Sequence, residues 1–282
     1  KYFVLNLFRE EKIQFVIHAA AYKHVPLVEI NPIQGIFNNV FSTRIICEVA
    51  RELKLNKVIL ISSDKAVRPS NIMGATKRLS ELIFQGFAEE ELERRSNKIK
   101  EKFTIFAMVR FGNVLGSSGS VVPVFQRQII DGGPITLTHE KIIRYFMTIK
   151  EASQLVIQSS VLAKGGEVFL LDMGNPVLIG ELAKKMILLS GLKLKDDKHP
   201  EGDIEIITTG LRPGEKLYEE MLINSKAEAT KHPLIFKGNE RFIEPKILWS
   251  KLLCLEDKLT KNNIIESLQI LRELVPEWKS NV

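Results

Sequence analysis

The sequence predicts an α/β fold, a doubly wound parallel sheet with a smaller C-terminal domain. Two observations carry this prediction. Between residues 15 and 109, short apolar runs typical of buried strands alternate with longer segments whose apolar residues have helical spacing, which gives the order β-α-β-α-β. The segments between the predicted strands are also long enough for right-handed crossovers between parallel strands.

The N-terminal elements follow one another closely. Phe15-Val16-Ile17 predicts a strand, and residues 57–62 predict the next strand. A helix between these strands is indicated by apolar residues at near-helical spacing, namely Ile36, Val40, Ile45, Val49 and Leu53. A second helix is predicted from about Met73 to Glu90, and a third strand from Thr104 to Val109.

Beyond Gly112 the pattern changes to a Gly/Ser-rich loop and short apolar segments. The elements predicted there are a helix over 121–130, a turn over 132–134, a strand over 168–171 and a helix over 179–189. Apolar spacing in residues 263–274 predicts an amphipathic helix that covers the smaller domain. The chain therefore divides into residues 1–115 and residues 116–282, with a segment of about 150–190 rejoining the sheet.

Composition and charge narrow the classes of function. Of the 282 residues, 26% are charged and 45% are hydrophobic, as in soluble globular proteins. No apolar run approaches the roughly 20 residues of a membrane span, so we expect a cytoplasmic segment without a span. The net charge of +6 favours an anionic partner. The sequence lacks a basic stripe interleaved with aromatic residues, so nucleic-acid binding is not expected. Cys47 and Cys254 lack the spacing of zinc ligands, and no metal site is expected.

Residues 62–77, which read SSDKAVRPSNIMGATK, are the best guide to function. Ser63, Asp64 and Lys65 bring a hydroxyl, an acid and an amine to the C-terminal end of a predicted parallel strand, where open α/β sheets bind ligands. Lys77 follows Met73 by one helical turn and lies on the same helix face. The alternative is an ordinary polar turn before a helix, because Ser, Asp, Pro and Asn also form turns.

Together with residues 18–32, 109–138 and 210–222, this stretch resembles the nucleotide-sugar 4,6-dehydratases of the polysaccharide biosynthesis protein CapD type, in the extended short-chain dehydrogenase/reductase superfamily. The resemblance implies a Rossmann-like cofactor domain and a C-terminal substrate domain. It also implies NAD or NADP as cofactor, a UDP-linked amino sugar as substrate, and a homo-oligomer. The expected activity is that of a UDP-N-acetylglucosamine 4,6-dehydratase in bacterial surface-glycan synthesis.

In that reaction, oxidation at C4 acidifies the C5 proton and water leaves across C5 and C6, so the site needs a base and an acid. The resemblance assigns these roles to Lys65 and Asp64. Lys65 must then be neutral, below its usual pKa of about 10.4, and Asp64 must be protonated. Most of the superfamily has tyrosine where this chain has Met73. Because a thioether carries no titratable proton, another catalytic residue must act as the base, and Ser63, Asp64 and Lys77 are the candidates. We expect a proton relay through Ser63 and Asp64.

The resemblance also assigns binding residues. The expected cofactor-binding residues are Ala19, Ala20, Ala21, Lys23, Asn39, Ser62 and Lys77, with Lys77 on the nicotinamide ribose. The expected substrate-binding residues are Asn113, Ser120, Val121, Arg144, Arg212 and Glu215. The guanidinium groups of Arg144 and Arg212 are expected to pair with the substrate diphosphate. Three alternatives remain open at this point. Asn39 could be an ordinary helix-surface residue, residues 116–120 a flexible Gly/Ser loop, and Glu215 an acid in the first turn of a following helix.

One expected motif is missing. The strand, GxGxxG turn and helix that hold a cofactor pyrophosphate are not found in this sequence, whose first glycine is Gly35. We therefore expect the N-terminal part of the cofactor domain to lie outside it. Long members of the family carry membrane helices, which would place the full-length protein at the cytoplasmic face of the inner membrane. The rival functions are a nucleotide-sugar 4-epimerase and a non-catalytic fragment.

Overall fold

The computed structural model describes residues 1–97, 102–221 and 227–279. The chain forms two compact units, which we call unit 1 and unit 2. Unit 1 comprises Lys1–Phe111, Gln154–Asp172 and Glu220–Val282, and unit 2 comprises Gly112–Ser153 and Met173–Glu219. Helices and strands are numbered in chain order.

Unit 1 is built on a six-stranded sheet. The strands, in spatial order, are β1 (Phe15–His18), β2 (Lys57–Ile61), β3 (Ile105–Arg110), β8 (Val168–Leu171), β13 (Ile235–Gly238) and β12 (Ala227–Ala229). The first four are parallel, and β13 and β12 add antiparallel pairs at the far edge. The predicted α/β class with a mainly parallel sheet is confirmed.

The helices of the N-terminal half connect these strands. They are α1 (Tyr2–Glu10), α2 (Val25–Ile30), α3 (Pro32–Ile36), α4 (Ser42–Glu52) and α5 (Ile72–Asn97). A π-helical turn, Phe37–Phe41, joins α3 to α4. The single helix predicted from Ile36 is therefore interrupted at its start. A π turn inserts one residue into the helical repeat and is often found at functional sites.

The long helix α5 is the centre of the unit 1 core. Its residues from Ile72 to Ala88 are all buried, charged ones included. Phe84 packs edge-on against Phe106 of β3 with ring centroids 5.8 Å apart, and Phe87 packs against Trp249 at 4.9 Å. An amphipathic pattern is consequently weak in α5, because neighbours cover it on every side.

The C-terminal helices α9 (Pro245–Thr260) and α10 (Ile264–Leu274) supply much of that cover. Leu248, Leu252, Leu255 and Leu259 form one apolar face of α9, and all four lie in the core cluster that contains α5. Leu271 and Leu274 of α10 join the same cluster. This differs from the sequence analysis, which placed residues 220–282 with the smaller domain and expected the last helix to cover it.

Unit 2 contains small sheets and two helices. Its strands are β4 (Asn113–Val114), β5 (Ile135–Leu137), β6 (Ile143–Arg144), β7 (Phe146–Met147), β9 (Val177–Leu178), β10 (Leu194–Lys195) and β11 (Ile204–Thr208). Helices α6 (Val121–Ile130) and α8 (Ile179–Leu189) have the predicted bounds and pack around Phe125, Ile135 and Ile187. Helix α7 (Ile149–Leu162) leads the chain back into unit 1. Only residues 154–172 of the predicted 150–190 segment rejoin the large sheet, because α8 belongs to the unit 2 core.

Candidate functional site

The predicted catalytic residues follow β2 directly, in a segment that we call the 62–71 loop. The Ser62 amide donates to the carbonyl of Val109 at 2.8 Å, which extends the parallel ladder by one residue. The chain then turns through a short 3₁₀ segment, Asp64–Ala66, which is capped by the Ser63 hydroxyl accepting from the Lys65 amide at 3.2 Å. The loop is thereby fixed at the carboxyl end of the sheet, as the sequence predicts.

Asp64 and Lys65 are in direct contact. Lys65 Nζ lies 3.0 Å from Asp64 Oδ1, and the Ser63 hydroxyl donates to the same oxygen at 2.8 Å. The carboxyl side chain is 2% exposed, whereas the Lys65 side chain is 25% exposed. Because the Asp64 carboxylate is removed from water, its charge is poorly screened from the Lys65 ammonium group. The predicted hydroxyl, acid and amine form one hydrogen-bonded cluster.

Lys77 reaches the same strand end from α5. Its ammonium group donates to the Ile61 carbonyl at 2.6 Å, and the residue is 8% exposed. Burial lowers the pKa of Lys77 to about 8, although the negative charge of Glu81 acts in the opposite direction. Met73, one turn earlier, is 3% exposed and belongs to the hydrophobic core. Its surroundings are those of a packing residue.

The start of α5 is held by two side chains. Glu29 accepts from the Ile72 amide at 2.6 Å, and Asn71 accepts from the Gly74 amide at 2.8 Å, so two of the unpaired amides of the helix N-terminus are satisfied. A Cβ on Gly74 would lie 2.3 Å from the Lys65 carbonyl oxygen. Only glycine allows the helix to pass this close to the 62–71 loop.

Asn39 is a buried clamp, not a surface residue. It is 1% exposed and lies in the π turn. Its side chain accepts from the Tyr22 amide at 2.7 Å and donates to the Tyr22 carbonyl at 3.0 Å and to the Thr76 hydroxyl at 2.9 Å. The segment after β1 is therefore tied to α5 one residue before Lys77. This geometry excludes the helix-surface alternative.

His18, at the end of β1, also belongs to this region, although the sequence analysis gave it no role. Its Nε2 lies 2.9 Å from the Thr43 hydroxyl, which donates to the Asn39 carbonyl at 2.6 Å. Burial, and to a smaller extent the positive charge of Lys77, lowers the pKa of His18 to about 4. At neutral pH the ring is thus uncharged.

The remaining predicted cofactor residues have different surroundings. Ala19 and Ala20 are exposed directly after β1. Ala21 and Lys23 line a pocket of about 540 Å³, together with residues between Tyr22 and Gly35. The Ser62 hydroxyl donates to Glu81 at 2.6 Å, so it is engaged by the protein itself.

Behind the 62–71 loop lies a buried ionic cluster that the sequence analysis missed. Arg110, at the end of β3, binds Glu81 through two parallel hydrogen bonds of 2.7 and 2.6 Å, and binds Glu240 at 2.5 Å. Arg78 adds a contact of 3.0 Å to Glu81. Burial alone would raise the pKa of Glu81, but Arg110 and Arg78 hold it at about 2. Arg110 stands out in the sequence as a charge that ends an apolar strand.

Three predicted substrate residues, Asn113, Ser120 and Val121, flank a glycine-containing loop of unit 2. The Ser120 hydroxyl is buried at the start of α6 and has no hydrogen-bond partner within the described part of the chain. Val121 is the first residue of α6, and Gly116, with φ of +73°, has open space around it. Asn113 pairs its amide with the Tyr145 carbonyl at 3.1 Å. A helix N-terminus next to an open glycine loop is compatible with an anion.

Arg144 and Glu215 are used by the protein itself. Arg144 donates to the carbonyls of Ile143, Lys216 and Leu217 at 2.7, 2.8 and 3.1 Å, where the diphosphate was predicted. Glu215 accepts from the Thr138 hydroxyl and the Arg212 amide, both at 3.1 Å. It closes a turn, and the described residues directly after it, 216–221, form no helix. Arg212 is exposed.

Two further expectations concern metals and membranes. Among residues 1–97, 102–221 and 227–279, no group of three or more His, Cys, Asp or Glu side chains is arranged to hold a metal ion. Over the same residues, every helix is too short or too polar to serve as a transmembrane span.

Comparison with known proteins identifies the family. Residues 1–240 match the model of the family described as polysaccharide biosynthesis protein. The capsular polysaccharide biosynthesis protein CapD of Staphylococcus aureus is 52% identical over 78% of this chain and 34% of its own length. The inverting UDP-N-acetylglucosamine 4,6-dehydratase of Campylobacter jejuni is 32% identical over 77% of this chain and 59% of its own. For the UDP-glucose 4-epimerase of Rickettsia canadensis the values are 33%, 74% and 56%.

A solved structure agrees with the sequence relatives. The structure of Pen from Bacillus thuringiensis is similar with a TM-score of 0.68 and 30% identity, covering 89% of this chain and 86% of that one. The chain spans about a third to three fifths of the length of the curated relatives named above. The resemblance found in the sequence is confirmed, and with residues 1–240 of 282 inside the family model the chain belongs to the polysaccharide biosynthesis protein family.

Proposed function

We propose that this chain carries the catalytic residues of a UDP-N-acetylglucosamine 4,6-dehydratase of bacterial surface-glycan synthesis. The observation that carries the proposal is the contact of 3.0 Å between Lys65 Nζ and Asp64 Oδ1 at the end of a parallel strand. An elimination needs a base and an acid side by side, and this pair supplies both. Similarity to an enzyme named as such a dehydratase supports the proposal.

In this assignment Lys65 enters the reaction neutral and takes the C5 proton, while protonated Asp64 gives its proton to the departing 6-hydroxyl, which leaves as water. The pair then consists of an ammonium and a carboxylate. When the hydride is returned to C6, the Lys65 ammonium would give its proton back to C5, so the pair ends as a neutral amine and a carboxylate that can accept the next proton through Ser63.

The sugar hydroxyl must also lose a proton when C4 is oxidised. Met73 cannot accept it, because a thioether is at most a weak acceptor and this one is packed in the core. The Ser63 hydroxyl lies 2.8 Å from Asp64 Oδ1 and can relay the proton to that carboxylate. We assign the work usually done by tyrosine to Ser63 and Asp64.

The cofactor of the proposed reaction is NAD or NADP, which accepts and returns a hydride when bound. Lys77, Asn39 and the alanines after β1 suit its nicotinamide-ribose end, since they combine a buried ammonium group with small side chains that permit close approach. The sequence has no glycine-rich turn for the pyrophosphate. A βα unit that carries such a turn would pair at the outer edge of β1. Among the described strands β1 has β2 as its single partner, and Phe15 and Ile17 are about 40% exposed.

A 4-epimerase is the second candidate, favoured by the similarity to a protein named as one. An epimerase exchanges configuration at C4 and needs no acid and base for elimination. The contact between Asp64 and Lys65 would then be an ordinary ion pair. Because a dehydratase uses an adjacent acid and base and an epimerase does not, this contact favours the dehydratase.

The test is incubation of the complete gene product with UDP-N-acetylglucosamine and NAD or NADP, followed by mass spectrometry. The dehydratase yields a product lighter by one water. Lys65→Ala should abolish this product and leave UDP-sugar binding within about twofold of wild type, because the proton acceptor is lost and the fold is kept. Lys185→Ala, an exposed lysine on α8, is the matched control. Full turnover by Lys65→Ala would refute the base assignment, and an isomer of unchanged mass would favour the epimerase.

A further inference from the structure

The C-terminal segment of residues 241–279 lies outside the family match, which ends at residue 240. It is nevertheless part of the unit 1 core, because α9, α10 and the turn after them pack on α5. Trp278, 6% exposed, anchors the end of this segment in that core. Arg272 lies over its ring at 5.2 Å. The segment is thus firmly seated next to the helix that carries Lys77.

Two hydrogen-bonded connections lead from this segment to the 62–71 loop. The first is direct: the Lys279 amide donates to the Pro69 carbonyl at 3.0 Å. The second begins at Glu277, which accepts from Arg78 Nε at 2.9 Å. Arg78 also donates to the backbone carbonyl of Arg241 at 2.6 Å. Both connections start within three residues of each other.

The second connection continues to the other end of the loop. Arg78 Nη1 lies 3.0 Å from Glu81 Oε2, and Glu81 Oε1 accepts from the Ser62 hydroxyl at 2.6 Å. Arg78 and Glu81 are fully buried, and Glu277 is 13% exposed. Charge-assisted hydrogen bonds in such surroundings are strong and directional. Ser62 and Pro69 lie on either side of Ser63, Asp64 and Lys65 in the sequence. Both are therefore fixed by groups that belong to the C-terminal segment or are bound to it.

The charges show why Glu277 can be changed without unfolding the protein. Within the ionic cluster around Glu81, the fully buried cations are Arg78 and Arg110, and the fully buried anions are Glu81 and Glu240. These four already balance. Glu277 is an additional anion at the partly exposed edge, so its neutralisation leaves no uncompensated buried charge. What it removes is the ionic restraint on the Arg78 guanidinium, together with a longer contact of 3.5 Å to the exposed side chain of Arg241.

We propose that Glu277 is a positioning residue of the reaction, through which the C-terminal segment fixes the 62–71 loop and so holds Lys65 and Asp64 at the reacting carbons. This inference rests on the proposed function. Catalysis requires reacting groups to be placed within a fraction of an ångström, whereas substrate binding tolerates more freedom. Loss of the restraint should consequently lower kcat much more than it raises KM.

The test compares Glu277→Gln with Glu273→Gln in the complete gene product. Glu273 lies on α10 and binds Lys251 at the surface, so its variant makes the same chemical change in the same segment without touching Arg78. Glu277→Gln should lower kcat by about tenfold with KM within about twofold, an effect in the range of small displacements at an active site. Glu277→Asp, which keeps the charge, should recover part of that loss. Glu273→Gln should behave as wild type.

Hydrogen exchange of the backbone amides in residues 62–72, measured by mass spectrometry, tests whether Glu277 restrains the 62–71 loop. This measurement does not depend on turnover. Exchange should be faster in Glu277→Gln than in Glu273→Gln. Equal exchange in the two variants would overturn the inference, whether or not the protein is a dehydratase. Faster exchange with unchanged kcat would overturn the positioning role. If the wild type fails to dehydrate its substrate, the proposed function falls while the exchange comparison still decides whether Glu277 restrains the loop.

Discussion

Replacing Lys77 by methionine should stabilise unit 1 at neutral pH and destabilise it at high pH. Lys77 is 8% exposed, and burial lowers its pKa from 10.5 to about 8. Below pH 8 the folded protein therefore holds a buried charge that the unfolded chain keeps in water. Methionine has a similar length and carries no charge, so it removes this cost.

The size of the effect follows from the two pKa values and one hydrogen bond. Lowering the pKa of Lys77 from 10.5 to about 8 means that the buried charge costs the folded protein roughly 3 kcal/mol, at about 1.36 kcal/mol for each pKa unit. The penalty is complete below pH 8 and fades as the pH rises to 10.5, because in that interval the unfolded chain binds more protons. The bond to the Ile61 carbonyl contributes about 2 kcal/mol and is lost in the variant. The net change is a gain of about 1 kcal/mol at pH 7 and a loss of about 1 to 2 kcal/mol at pH 10.5.

The assay is urea denaturation at pH 7 and pH 10.5, followed by tryptophan fluorescence. Trp249 and Trp278 are the two tryptophans of the sequence, and both lie in unit 1. Lys185→Met, on the exposed face of α8, should change stability at neither pH. A Lys77→Met variant that is less stable than wild type at both pH values, by the same amount, would refute the argument from burial.

Two further predictions use the same region. Because burial lowers the pKa of His18 to about 4, wild-type stability should fall by up to roughly 3 kcal/mol as the pH decreases from 6.5 to 4, where the unfolded chain binds more protons. Between pH 7 and pH 4.5, the melting temperature should therefore fall less in His18→Gln than in wild type. An equal fall in the two proteins would contradict the conclusion that His18 is buried in its neutral form. Met73→Tyr places a hydroxyl in a packed core position and should cost about 1–3 kcal/mol of stability without raising dehydratase turnover. A large gain in rate would count against the relay through Ser63 and Asp64.

Much of the fold could be predicted because the signals are local. Helices α6 and α8 and strand β8 match their predicted bounds, since apolar spacing and flanking turns mark them clearly. The place of α9 and α10 could not be predicted in this way. Their leucine faces indicate helices, but the core they join contains α5, some 170 residues earlier in the sequence. An amphipathic face shows that a helix is covered and does not identify the surface that covers it.

The same limit applies to the candidate site. Ser63, Asp64 and Lys65 meet because they are neighbours in a tight turn, so their contact follows from sequence order alone. Arg144 was assigned to a phosphate because its guanidinium suits that ligand, yet its donors go to backbone carbonyls. Every residue carries a backbone carbonyl, so the sequence does not indicate that Arg144 donates its hydrogen bonds to these groups. Asn39 was ambiguous between a surface and a site role, and its burial removes the surface alternative while the site role stays a prediction.

Glu81 unites the proposed catalytic and structural features. It accepts the Ser62 hydroxyl, binds Arg78 and Arg110, and lies one helical turn after Lys77. Because Arg110 keeps this carboxylate ionised, its negative charge opposes the loss of the Lys77 proton that burial favours. Without that charge the pKa of Lys77 would fall further below its ordinary value. The carboxylate that restrains the 62–71 loop therefore also preserves the positive charge proposed for the cofactor, and the spacing of residues 77, 78 and 81 on α5 places both functions on one helix face.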